Sequence, residues 1–405
     1  MPLPRDPGVV LEEVANREYA FALWRILTDI NTWITSGGSS GLFRGEYPTF
    51  SVPEPISAAV NMLRAISGPP LAADGSRLAK ACTTVWEWAE AEGLPEVALQ
   101  FGDVAARFDP EAVARASTAG RLCRRQGESV RGTMWFRRAA RLARLQRSEL
   151  DFAIAHLGWG SLETDLGRFV EAEAHAVKAF RAALRVGRRS LAASAYHDLL
   201  AIKIHTEHFD QAWAYARDAV AFYRVDHPRF PALAHDVAYL WSRQGHYSSA
   251  IPLYERVLES IPLMTERAVV LANLARAAGA CRDRLRYERA FRAIEGIRDQ
   301  GVKFPASALY HTAEGCRSFE EWDRAKLYCE LAIEAARTRG NASVLAQAGR
   351  LACELNSKLP GDRDIVPENG GEIDEIRETL ERKLKKILPS SRSAVIPPEK
   401  YPIER

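Results

Sequence analysis

Residues 191–222 read LAASAYHDLLAIKIHTEHFDQAWAYARDAVAF, and residues 231–262 read PALAHDVAYLWSRQGHYSSAIPLYERVLESIP. Shifted by 38 residues, the first brings Ala212 onto Ala250 and His197-Asp198 onto His235-Asp236. Ala172, 40 residues before Ala212, marks the same place once more. Each stretch has the apolar spacing of a helix, then a short break, then a second helix. The segment from Ala153 to Pro262 therefore reads as three consecutive helix pairs. A self-similar period of about 20–50 residues is the signature of a repeat array.

The same pattern extends outward from Arg77, without strand signals. The first clean unit runs from Ala79 to Pro110, with Gly93 at its break and Ala98 and Ala105 in its second helix. Gly120, Gly127, Phe136 and Ala139 stand at matching places in the next unit, and Gly93 to Gly127 is 34 residues. The third unit has Gly160, Gly167, Ala172 and Ala179. The fourth has Ala212 and Ala219, with Glu207 where the glycine would be. The fifth has Gly245, Ala250, Tyr254 and Pro262. Thr265–Gly301 fits less well: Gly279 is placed well, but Arg284 stands where alanine is expected. A seventh unit carries Ala325 and Ala332 after a first helix from Leu309 to Arg317. Small residues at these places let two helix axes approach closely.

These residues resemble the tetratricopeptide repeat, a helix-turn-helix unit with small residues at the helix crossing, an aromatic in the second helix and a proline at its end. The resemblance covers about Arg77 to Lys358 and is strongest in the units ending at Pro110 and Pro262. It implies an all-α fold, a right-handed superhelical solenoid of about seven helix pairs whose first helices line an inner wall. A solitary helix, Ala342–Leu355, looks like the cap that covers the last apolar face. The best-known carboxylate-gripping members use a lysine and an asparagine in their first unit. Thr83 and Glu87 stand there, so that specificity is not carried over.

The flanks divide the rest of the chain. Residues 1–70 are expected to hold one long helix, Val9–Ile34, with the stripe Leu23, Ile26, Leu27, Ile30, Trp33 and Ile34. A proline-rich break and a short helix, Ile56–Ile66, follow it. The long helix is read as a cover for the first unit, or else as a docking stripe for a partner. The solenoid occupies 77–358, a linker 359–371, a charged helix 372–389 and a flexible tail 390–405. In the charged helix Ile376, Leu380, Leu384 and Leu388 share one stripe, and its linker favours a partner.

Composition fits such an array. Hydrophobic residues make up 47% of the 405, and the formal net charge is +3, so whole-chain charge implies neither a nucleic acid nor a membrane partner. The six cysteines are far apart with no CxxC, as free thiols in a reducing compartment would be. The first twelve residues lack an apolar core of signal-peptide length, and no run of about 18 apolar residues occurs. A cytoplasmic protein is expected.

Residues four and three apart share a face of a helix. Mapped on that spacing, the inner wall carries Arg121, Arg124 and Arg125 in the second unit. The fourth gives His197, Asp198, Ala201 and His205, and the fifth His235, Asp236, Tyr239 and Arg243. The sixth gives Asn273 and Arg276, and the seventh Tyr310, His311, Glu314 and Arg317. Arginines form paired hydrogen bonds to carboxylates, and His, Asn and Tyr bond a peptide backbone. The expected function is a non-catalytic scaffold that binds a protein or peptide segment, acidic where the arginines face it. Hypothesised contacts are Arg121, Arg124, Arg125, His197, Asp198, His235, Asp236, Tyr239, Arg243 and Asn273. Exposed polar residues on helices are also ordinary, and repeats copy one another by descent, so each has a bland reading as solvated wall.

A rival reading starts from ten arginines against one acid, Glu128, between Arg115 and Arg147, continued by Arg181, Arg185, Arg188 and Arg189. Such a field draws in nucleic acid or an acidic protein. Trp135 and Phe136 interleave with it, but they sit where the repeat wants core aromatics. No cofactor is expected. His205 and His208 are three apart, yet no HExxH or Cys/His ligand set exists. Gly37-Gly38-Ser39-Ser40-Gly41 matches the letters of a GxSxG elbow but lacks the strand and helix that elbow needs, and reads as a break. No three-helix DNA-reading unit precedes the repeats.

Overall fold

A computed structural model describes residues 6–15, 17–35, 52–65, 75–224, 227, 229–357 and 371–387. Among these there are nineteen helices and no strand. Three come before the repeats: α1 (Gly8–Val14), α2 (Ala20–Thr35) and α3 (Glu54–Ala65). Seven pairs follow. They are α4 (Gly75–Ala91) with α5 (Pro95–Phe108), α6 (Val113–Arg125) with α7 (Ser129–Leu145), and α8 (Glu149–Asp165) with α9 (Phe169–Arg185). Next are α10 (Arg189–His205) with α11 (Phe209–Phe222) and α12 (Phe230–Arg243) with α13 (Tyr247–Leu258). The last two are α14 (Met264–Ala280) with α15 (Arg284–Asp299) and α16 (Ala306–Ser318) with α17 (Trp322–Arg339). Two single helices close the chain, α18 (Ala342–Asn356) and α19 (Gly371–Ile387). None is long and apolar enough to cross a membrane. The described residues form two compact units that part between Leu162 and Glu163, within α8. The GxSxG match, the linkers at 36–51, 66–74 and 358–370, and the tail lie outside the described residues.

One turn closes the first helix of every pair. In each pair a residue just past the first helix adopts left-handed φ, and the next N–H bonds back to a carbonyl five residues earlier. The bonds are Leu94 to Ala89, Glu128 to Cys123, Arg168 to Glu163, His208 to Lys203, His246 to Trp241, Asp283 to Ala278 and Glu321 to Cys316, all 2.8–3.1 Å. This is the Schellman closure of a helix end, which satisfies carbonyls that would otherwise be orphaned. Glycine fills the left-handed place four times, as Gly93, Gly127, Gly167 and Gly245. Glu207, Arg282 and Glu320 fill it in the other three pairs.

The turns also correct the reading of the sixth unit. Its turn residue is Arg282, so the helix-crossing place five residues on is Tyr287 and not Arg284. A bulky residue is tolerated there because Tyr287 is fully buried with its hydroxyl donated to Glu321 Oε2 at 2.6 Å. The close approach moves to Gly279 and Gly315, where α14 meets α16. Elsewhere the crossing alanines behave as expected: Ala98, Ala105, Ala139, Ala172, Ala179, Ala212, Ala219, Ala250, Ala325 and Ala332 are at most 2% exposed.

The expected single helix Val9–Ile34 is two helices, α1 and α2, with a turn closed by the Arg17 N–H on the Val14 carbonyl at 2.8 Å. The break has a physical return. It places the Glu13 carboxylate over the start of α5, where it accepts from the N–H groups of Glu96 (3.0 Å) and Val97 (2.9 Å). That helix has no side-chain cap of its own, so Glu13 supplies the missing acceptor. The stripe Leu23, Ile26, Leu27 and Ile30 is buried in the same core as α4 and α5, a packed cover on the first pair.

Within the second unit α19 lies against α12 and α13, with Ile373, Leu380 and Leu384 buried. Lys383 donates to the Val220 carbonyl at the end of α11 (2.8 Å) and sits 5.5 Å from the Phe230 ring centre. At the other end of this unit, the start of α18 meets the turn between α8 and α9: a Cβ on Gly167 would stand 3.3 Å from that of Ser343. Gly340 likewise lies close to Leu166, so the end of the array from Leu166 to Ser343 meets its beginning.

Candidate functional site

The first helices α10, α12, α14 and α16 carry the polar wall, because their apolar sides are consumed by packing on the second helices. Repetition of the His-Asp pair does not give repetition of its role. Asp236 is the centre of a network: its Oδ2 accepts from His197 Nε2 at 2.8 Å and its Oδ1 from His235 Nδ1 at 2.9 Å. With Nδ1 of His235 protonated, its Nε2 is left as acceptor, and Asn273 Nδ2 donates to it at 3.0 Å. These tautomers follow from the bonding pattern. The chain His197–Asp236–His235–Asn273 therefore ties α10, α12 and α14 together. Burial pushes the Asp236 carboxyl up, but the two histidine bonds outweigh it and hold the group well below the usual carboxylate range. Asp198, its sequence counterpart, turns away and pairs with Arg229 at 2.9 Å.

A second cluster lies beside the first. Ring contacts run from Phe169 to His205 (5.4 Å between centres), His205 to Tyr239 (6.3 Å), Tyr239 to His311 (5.5 Å) and His311 to Tyr310 (5.1 Å). This ladder crosses from α9 through α10 and α12 to α16. Arg276 stands over Tyr239 at 5.7 Å and donates to Ser242 Oγ at 2.8 Å, and Arg243 donates to Glu207 Oε1 at 2.7 Å. His311 Nδ1 is 3.0 Å from Glu314 Oε2. Burial pushes Glu314 up, yet the His311 bond and the Arg276 charge bring it down to about 2. His205 is exposed, yet the surrounding wall displaces enough water to push its ring down to about 4, against the pull of Asp236.

Of the ten proposed contacts, His197, Tyr239 and Asn273 are buried, and their work is internal. His235, Asp236, Asp198 and Arg243 are half-buried. In the second helix pair Arg121 and Arg125 both bind Glu90, the former at 3.2 Å, and Arg121 also stands 5.7 Å over Trp86. Arg124 is half-buried on the same helix. Part of the wider arginine field is neutralised: Arg131 binds Asp103 (2.8 Å), which also holds Arg107 (2.7 Å), and Arg115 binds Asp109 (3.0 Å). Trp135 and Phe136 are buried, and the indole of Trp135 donates to Asp103 at 2.8 Å. His205 and His208 do not converge: His205 stacks on Phe169, while His208 faces Thr206. No cluster of three metal-ligating side chains occurs among the described residues. Glu90, Glu207 and Phe169 were missed as parts of the wall. Their partners lie 31 to 36 residues away, and only the repeat register could have paired them.

No protein-family model and no curated protein matches the chain. Among solved structures it is similar to the TPR2AB domain of yeast Sti1 in a complex with pHSP90, at 12% identity over 69% of this chain and 98% of that one, with a TM-score of 0.26. It is also similar to the TPR domain of P58(IPK), at 15% identity over 86% of this chain and 99% of that one, with a TM-score of 0.21. Paired helices, the shared turn and the small crossing residues make this chain TPR-like in fold.

Proposed function

We propose that the chain is a non-catalytic scaffold that holds a segment of another protein on the inner wall of its helix pairs. The observation that carries this reading is the convergence of His205, Arg243, Arg276 and Tyr310, from four first helices, on one polar and aromatic surface around the buried ring of Tyr239. Such a surface offers ring faces for stacking and donors for backbone carbonyls or carboxylates. The His197–Asp236–His235–Asn273 chain acts behind it as a brace that fixes the spacing of the helices. In the second helix pair Arg121 and Arg125 offer acidic side chains of a partner an alternative to Glu90, with Arg124 on the same helix. Trp135 and Phe136, which interleave with the arginines, are buried and offer a nucleic-acid base no face to stack on.

The test is comparative capture. Wild type, Arg243→Glu with Tyr310→Ala, and Arg121→Glu with Arg124→Glu are each used as bait, with helicity checked by circular dichroism. Proteins retained by wild type and lost by either folded variant identify the wall. An identical retained set for all three baits would remove the wall from the function.

A further inference from the structure

Outer faces of the second helices differ in one respect that the inner wall does not explain. On α7, Val130, Met134, Arg137 and Arg141 occupy the second, sixth, ninth and thirteenth positions. On α17, Asp323, Leu327, Glu330 and Glu334 occupy the same four positions. Steps of four, three and four keep each set on one stripe. Both stripes are exposed, including their apolar members: Val130 at 75%, Met134 at 42% and Leu327 at 46%.

The charged members of the two stripes differ in sign. Arg115, Arg121, Arg125 and Arg131 nearby all have carboxylate partners. Among the described residues Arg137 and Arg141 have none, and neither Asp323, Glu330 nor Glu334 meets a basic group. An apolar-basic stripe and an apolar-acidic stripe thus stand at equivalent places on two helices, each lacking what the other has.

We infer that α7 of one copy docks alongside α17 of a second copy. Parallel docking sets Met134 against Leu327, Arg137 against Glu330 and Arg141 against Glu334. The rise of about 1.5 Å per residue is common to both helices, so all three contacts form together. Beyond them Arg144 and Arg337, both at the sixteenth position, come like against like, so the contact is confined to the first thirteen positions. Because the two patches differ, the contact is head-to-tail and leaves one stripe free at each end of a dimer. Exposed ion pairs are individually weak and are screened by salt, so the association is weak and ionic-strength dependent.

Sedimentation velocity over a concentration series tests this. The full chain is expected to associate at about 50 mM salt and to dissociate at about 500 mM, where charges more than a few ångströms apart no longer attract. Arg137→Glu with Arg141→Glu, and Glu330→Arg with Glu334→Arg, are each expected to stay monomeric while keeping wild-type helicity. Mixed in equal amounts, the two variants present one native pair of stripes and one charge-reversed pair, so association should return. Arg337→Glu should tighten wild-type association several-fold. A wild-type chain monomeric at both salt levels, association indifferent to either double variant, or a mixture that stays monomeric would each overturn the inference.

Discussion

Asp236 on α12 accepts from His197 on α10 at 2.8 Å, and its other oxygen is taken by His235 of its own helix at 2.9 Å. A single carboxylate thereby joins two consecutive repeats. Asp236→Asn removes the charge and turns one oxygen into a donor facing a ring N–H. Charge-assisted hydrogen bonds contribute about 1.5–3 kcal/mol each when a partner is removed, so a loss of about 2–4 kcal/mol is expected in urea unfolding. Asp198→Asn, at the equivalent place but paired with the half-buried Arg229, should cost about 1 kcal/mol or less. Equal losses for the two would refute the division of roles between these sequence-equivalent acids.

The histidines predict how stability changes with pH. His205 is pushed down from 6.5 to about 4 by the crowding of the wall, and burial lowers His311 despite its bond to Glu314. Between those two pH values the unfolded ring binds a proton that the folded ring does not. The contribution is therefore complete above about 6.5 and is lost as pH falls towards 4. Glu314 acts lower: its folded value near 2 lies below the unfolded one, so its contribution is present above about 4.5 and is lost as pH falls through 2. The urea midpoint should fall between pH 7 and pH 5, before carboxylates titrate, and His205→Gln should make that fall shallower. A midpoint flat over this range in wild type would contradict the placement of these rings.

What could be read from the sequence was whatever repeats locally. The alanines and glycines at the crossings gave the seven pairs because a close approach of helices restricts residue size at a fixed offset. The N-terminal stretch was misread because helical spacing continues through the break at residues 15–19. The break serves a capping contact between Glu13 and α5, 83 residues away, which no local pattern records. The His-Asp pairs announced themselves by repetition. Whether such a pair faces a ligand or braces the helices depends on the next helix over, on Asn273 for one pair and Arg229 for the other. Counting arginines likewise overstated the basic field, since Glu90 and Asp103 lie in an earlier unit and become neighbours only on folding.

The charged helix α19 behaves as a structural part of the second unit. Leu380 is fully buried against the seam of α12 and α13. Leu380→Ala should lower stability by about 2–4 kcal/mol, the range for large-to-small changes in a core. A chain ending at Ser357 should melt lower still and bind a hydrophobic dye, because Phe230 and its neighbours lose their cover. Unchanged melting of both proteins would return α19 to the role of a free arm for partners.

Phe136 on α7 is held between glycines of two first helices, Gly120 on α6 and Gly158 on α8. A methyl group at Gly120 would stand 2.9 Å from two atoms of the ring, closer than carbon atoms tolerate. The ring is almost wholly buried and has no space to retreat into. Gly120→Ala should therefore destabilise by about 1–3 kcal/mol even though alanine is the better helix former. Phe136→Leu alone leaves a cavity and costs stability too. Combined with Gly120→Ala, it should cost less than the sum, because the methyl group enters the space the ring has left. A double-mutant cycle in urea measures that coupling, and strict additivity would mean that the ring and the glycine do not meet.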